Sequence, residues 1–131
     1  MLSTIPSHLH EMPIYQKAMD IIILSRSISS YLHQDLCYLN NDGSEDPHIY
    51  VSGDIVQQSS SIAPEIIKAE QERYSDKKYK HIASVRTLTN RLYKSCKRLE
   101  RCNSNGKDYI LLLRRELKAF KKLQHTWMLT L

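Results

Sequence analysis

Glycine and proline are scarce in this chain, with three and four residues in 131. Glycine interrupts regular backbone through its conformational freedom, and proline through its missing N–H. Their scarcity leaves room for long regular elements and excludes a low-complexity or collagen-like chain. Three cysteines, Cys37, Cys96 and Cys102, make an odd count that argues against a disulfide framework. Cys96 and Cys102 are six apart and share no helical face, so they are expected as small buried apolar residues. No apolar run approaches the roughly 18 residues of a membrane helix, and the stretch Ile21 to Leu24 falls far short. The amino-terminal MLSTIPSHLHEMP has neither a basic nor an apolar leader segment, so a cytoplasmic protein is expected, with residues 1–12 as a flexible arm. Acidic residues are also short in one half. Residues 1–65 carry two bases against eight acids, a net −6, whereas residues 66–131 carry seventeen bases against six acids, a net +11. That asymmetry suits either a polyanionic partner or head-to-tail association of copies.

What is present is helical period, four times over. After Pro13, a residue favoured at the first helical position, come Ile14, Ala18, Ile21, Ser25, Ile28 and Leu32 at spacings of three and four, extended by Leu36 and Leu39. NNDGSEDP, residues 40–47, is a loop. A second stripe follows over His48 to Arg73: Val51, Ile55, Ser59, Ile62, Ile66 and Ala69. Its first part, HIYVSGDIV, is compatible with a short strand as well. A third segment starts near Ser75, a suitable N-cap. Ile82, Val85, Thr89, Leu92, Cys96 and Leu99 form its seam. A turn at 103–107 follows, where Gly106 suits a left-handed C-terminal cap or a turn. The fourth segment carries Ile110, Leu113, Leu117, Phe120, Gln124 and Trp127. The pattern predicts one all-α domain over 1–131, an antiparallel up-down four-helix bundle. Its second helix should be kinked at Pro64, because the ring clashes with the carbonyl of Ser60 and removes a ladder bond. A hydroxyl of Ser60 or Ser61 could satisfy the freed carbonyl.

At 100° per residue, Arg91, Lys94, Arg98 and Arg101 share a sector opposite the third helix's seam, with Lys97 nearby. Arg114, Arg115, Lys118, Lys121 and Lys122 repeat the plan on the fourth helix, interrupted like the third by a single glutamate, Glu116 and Glu100 respectively. Like charges at i,i+4 cost a few tenths of a kcal/mol each, so helix stability does not explain them. Two readings are open. The ten cations could contact the phosphate backbone of RNA or DNA through counterion release. Alternatively, the basic half could dock on the acidic half of a neighbouring protomer or on another protein. Tyr74, Tyr79, Tyr93 and Tyr109 lie among the cations, either to stack on bases or as core-edge residues.

No motif for metal, phosphate-loop or nucleophile chemistry occurs. His33 and Cys37 could share a face but lack a third ligand. No arginine is followed at four to six residues by histidine, the pairing of some all-helical nucleases. No catalytic residue, metal or cofactor is expected.

Three stretches carry a family resemblance. Pro13, Tyr15 and Ala18 in MPIYQKAMD match a "P-x-Y-x-x-A" helix start, and Ser61, Ile62 and Ile66 fall in a Ser-Ile-Pro-type second helix. Ser75 to Tyr79, SDKKY, takes the place of a later "S-x-x-E-F". Over roughly Pro13 to Trp127 the chain resembles the four-helix bundle proteins encoded in large-subunit ribosomal RNA intervening sequences, which include the Avd-like accessory proteins of diversity-generating retroelements. That resemblance implies a homo-oligomer, a pentamer, and in the retroelement branch a role as basic partner of a reverse transcriptase and its RNA. It supplies no catalytic residues.

Overall fold

The computed structural model describes residues 7–102, 104 and 106–131, and all regular structure among them is helical. The elements are α1 (Ser7–Glu11), α2 (Pro13–Leu36), α3 (His48–Ser60), α4 (Ile62–Gln71), α5 (Ser75–Leu99) and α6 (Lys107–Leu129). No helix among the described residues is long and apolar enough to cross a membrane.

The expected flexible arm is corrected over its second half. Ser7–Glu11 forms a short helix whose Leu9 is fully buried. Residues 1–6 of that arm lie outside the described residues. α2 opens on Pro13, with Met12 extended at the cap position. Its seam from Ile14 to Leu36 is buried, but Leu39 lies beyond the helix end and is exposed. In the loop that follows, Gly43 alone takes a positive φ, +83°, and its N–H bonds the carbonyl of Asn40. The Asp42 carboxylate accepts the backbone N–H and the hydroxyl of Ser44, which holds its pKa below the usual carboxylate value.

The strand reading of residues 48–56 is overturned, because this stretch is the first part of α3. Asp46 accepts the His48 N–H at 2.9 Å, steadying the first turn. Burial of Val51, Ile55 and Ser59 follows the four-residue step and not alternation. The interruption expected at Pro64 occurs three residues earlier, at Ser61, where α3 stops and α4 begins. Pro64 therefore occupies the third position of α4, where an N–H has no intrahelical partner in any case. The ring excludes the carbonyl four residues back, so the ladder breaks on the amino-terminal side. The Ser61 hydroxyl donates to the Gln57 carbonyl at 2.9 Å across the break.

Two further boundaries differ from expectation. Ser75 is the first residue of α5, Tyr74 holds the cap position, and the Glu72 carboxylate accepts the N–H groups of Arg73 and Tyr74. Gly106 does not form a left-handed cap: its φ is −69°, and it precedes α6. Its role is close packing. A Cβ there would lie 2.6 Å from Cδ1 of Tyr31 and 3.2 Å from a methyl of Leu32. Of the expected turn, residues 103 and 105 lie outside the described residues.

α2 packs against α3 and α6, while α5 packs against α3, α4 and α6. The seams read from the sequence meet in one apolar cluster in which Phe120, Ile21, Ile28, Leu32, Ile55, Ile66, Leu92 and Leu113 are wholly buried. Each such side chain contributes about 1.5–3 kcal/mol relative to an exposed position. Polar contacts tie the helices at their edges: Lys17 to Glu116 at 2.8 Å, His81 to Glu65 at 2.7 Å, Ser95 to Gln58 at 2.9 Å and the Trp127 indole N–H to Glu70 at 2.6 Å. Cys96 and Cys102 are buried in this cluster, and burial pushes the Cys96 thiol up to about 12. Cys37 is exposed, and its thiol donates to the Gln34 carbonyl.

Candidate nucleic-acid interface

The seams of α5 and α6 turn toward the core, so the charged faces opposite them must turn outward. Arg91, Lys94, Lys97, Arg98, Arg101, Arg115, Lys118, Lys121 and Lys122 are all exposed. Arg101 lies in the turn just beyond α5, its N–H bonded to the Arg98 carbonyl. Among the described residues, none of these nine is paired with a carboxylate.

Arg114, the tenth, behaves differently. It is partly buried, and it donates to Glu100 at 2.6 Å and to the Tyr93 hydroxyl at 3.0 Å. Its Nε is buried with no partner. The Glu100 bond holds the guanidinium pKa above its ordinary value. Arg114 is therefore removed from the set of phosphate contacts, because a neutralised, half-buried guanidinium clamps α6 to the end of α5 and has little left to offer a strand. The sequence gives only the separation of Arg114 and Glu100, and the meeting is tertiary.

Around that clamp the structure assembles a cluster on Tyr93. The Lys97 ammonium lies 5.0 Å from the ring centroid, that of Lys121 4.5 Å, and the Arg114 guanidinium carbon 5.3 Å. The Arg114 hydrogen bond first, then the charges of Arg114, Lys97 and Lys118, lower the phenol's pKa. Tyr93 thus takes the core-edge role, packed against the apolar cluster with its hydroxyl occupied. Tyr74, Tyr79 and Tyr109 remain exposed, Tyr74 with the Lys77 ammonium 5.4 Å from its ring.

The ten residues do not share one groove. Lys97, Arg114 and Lys121 converge at the α5–α6 seam. Arg91 lines a separate groove toward α4, with Lys80 and Ser84. Arg115 lines another toward α2, beside Tyr31, Tyr109, Leu111 and Leu112. Of the apolar residues off the seams, Ile23, Leu111 and Leu112 are exposed as a surface for association would need, but Ile22 is buried.

Sequence reasoning missed the residues between the two basic helices at their other end: Arg86 and Asn90 on α5, and His125 and Met128 on α6. With Lys121 and Gln124 they line a groove of about 460 Å³. A signal was present, since 86, 90, 93 and 97 on one helix and 114, 118, 121 and 125 on the other each step by four, three and four along a single flank. Flanks adjoin a neighbouring helix, and outward faces do not. Among the described residues no three histidine, cysteine, aspartate or glutamate side chains converge as metal ligands. Comparison of the chain with family models, curated proteins and solved structures gave no match.

Proposed function

We propose that this chain acts by binding and not by catalysis, presenting the outward faces of α5 and α6 to the phosphate backbone of RNA or DNA. The observation that carries the reading is eight exposed cations on two adjacent helices and a ninth in the turn after α5, none with a carboxylate partner among the described residues. Self-repulsion of that kind is retained where a polyanion relieves it. Each cation would contact phosphate and none would read a base, so binding would be nearly independent of sequence.

The finer architecture belongs to the same proposal. Helices α2, α3 with α4, α5 and α6 serve as the four members of an antiparallel up-down bundle, supported by the chain of packing from α3 to α2 to α6 to α5 and back to α3. The motif resemblance supports a cytoplasmic homo-oligomer, a pentamer, working beside a reverse transcriptase. A second reading rests on a different observation. The apolar group Tyr31, Tyr109, Leu111 and Leu112 is exposed next to Arg115, and the halves of the chain are oppositely charged. In that reading the chain is a structural protein whose basic half docks on a neighbour's acidic half.

One variant separates the two. Arg91, Lys94, Arg98 and Arg101 are replaced together by glutamate, and binding to a duplex is followed across salt. Nine phosphate contacts would give the wild type a slope of about −8 in log affinity against log salt, and losing four of them would lower its size by about 3.6. The variant should lose binding to all sequences alike while its helical circular dichroism persists. Light scattering of the wild type should give several times 15.3 kDa, and under the docking reading it is this mass that collapses in the variant. Wild-type protein that binds neither RNA nor DNA would refute the proposed function.

A further inference from the structure

We propose that the groove between α5 and α6 is a binding site for a phosphomonoester. Arg86 and Asn90 supply one wall, and Lys121, Gln124, His125 and Met128 the other. Its volume of about 460 Å³ falls within the roughly 300–1,000 Å³ of small-ligand sites. The lining contains two permanent cations, a histidine and two amides, and no carboxylate. Lys121 is held in place by the Tyr93 ring, 4.5 Å from its ammonium.

Gln124 is the independent observation. It belongs to the buried seam of α6 and is only 7% exposed, yet it lines the groove. Its side chain has no hydrogen-bond partner among the described residues. The polar atoms sealed from solvent without a partner are Ser25 Oγ and Arg114 Nε, so the Gln124 amide, by contrast, opens into the groove. Gln124 thus presents an unpartnered amide at the floor of the groove, on a seam otherwise filled by apolar side chains, where a ligand can take up its hydrogen bonds. A carboxylate carries a single charge on two oxygens, less than this set of donors can match. A phosphate monoester has three terminal oxygens and nearly two charges at neutral pH. Those oxygens match the donors that the groove supplies: guanidinium, ammonium, imidazole and amides.

This site stands apart from the backbone-contact reading. Backbone phosphates are diesters, and of the residues lining the groove only Lys121 is also among the nine proposed backbone contacts. The monoester could be a small phosphorylated molecule or the phosphorylated end of a strand. Calorimetry with inorganic phosphate, against chloride at matched ionic strength, should show saturable binding of one equivalent per chain. Arg86→Gln and Gln124→Leu should each lower that affinity at least tenfold, while Arg26→Gln, at an exposed position on α2 away from both basic helices, should leave it unchanged. Asn90→Leu, at an exposed position, gives the same reading if Gln124→Leu fails to fold. Oligonucleotides bearing a 5′-phosphate or a 5′-hydroxyl distinguish the sources: preference for the phosphate that disappears in Arg86→Gln identifies a strand end, and its absence alongside retained phosphate binding identifies a small molecule. Failure of the backbone reading appears separately, as lost affinity for the 5′-hydroxyl strand with phosphate binding intact. No saturable phosphate binding by the wild type, or equal affinity in the groove variants, would overturn the site.

Discussion

Replacing Pro64 by alanine tests how the α3–α4 break is built. A proline in the interior of a helix costs about 3 kcal/mol relative to alanine, so a proline merely tolerated there would return that amount on replacement. The structure gives a smaller figure. Pro64 is the third residue of α4, the helix has already stopped at Ser61, and the Ser61 hydroxyl already bonds the Gln57 carbonyl. While the break at Ser61 persists, the alanine N–H has no intrahelical partner to gain, and if the ladder closes over it the gain is at most one N–H bond toward Ser60, about 0.5–1.5 kcal/mol. Against it stands the lost stiffness of the unfolded chain, about 0.4–1 kcal/mol. The two nearly cancel, leaving a net change below about 1 kcal/mol, which for a domain of this size is a shift of at most about 4 °C in the melting temperature. Differential scanning calorimetry of the two proteins measures it directly. A gain near 3 kcal/mol, with a melting temperature higher by roughly 10 °C, would refute the reasoning and show that the break is strain imposed on one continuous helix.

Two further outcomes follow from single contacts. Gly106→Ala should destabilise the fold by about 1–3 kcal/mol in chemical denaturation, although its φ of −69° suits any residue, because the added methyl lies 2.6 Å from the Tyr31 ring. An unchanged midpoint would show that the ring moves aside freely. Tyr93 should ionise below the ordinary tyrosine value of 10.0, read as the difference in phenolate absorbance between wild type and Tyr93→Phe. Because the folded pKa is the lower one, this group adds stability as pH rises through it and adds none at neutral pH. Arg114→Met should move the midpoint back up, and no movement would show that the hydrogen bond from Arg114 is not its cause.

The helical seams were legible because they depend on chain-local geometry: a residue every three or four positions must face one side of a helix whatever it meets there. From Ile14 to Leu36, from Val51 to Ala69, and along α5 and α6, the residues at seam positions are the buried ones. The outward cations were legible for the same reason, as the complement of those seams. What lies between helices was not. Whether Ile22 is covered depends on which helix neighbours it, and Arg114 became a clamp because the fold brings Glu100 and the Tyr93 hydroxyl within reach. Gly106 owes its place to Tyr31, some 75 positions earlier in the chain, a contact no local pattern records. Gln124 shows the division most plainly: its spacing placed it on the buried seam, but only the packing of α5 against α6 left its amide facing an open groove. Periodicity sets the direction in which a side chain points, and the tertiary structure decides what it meets there.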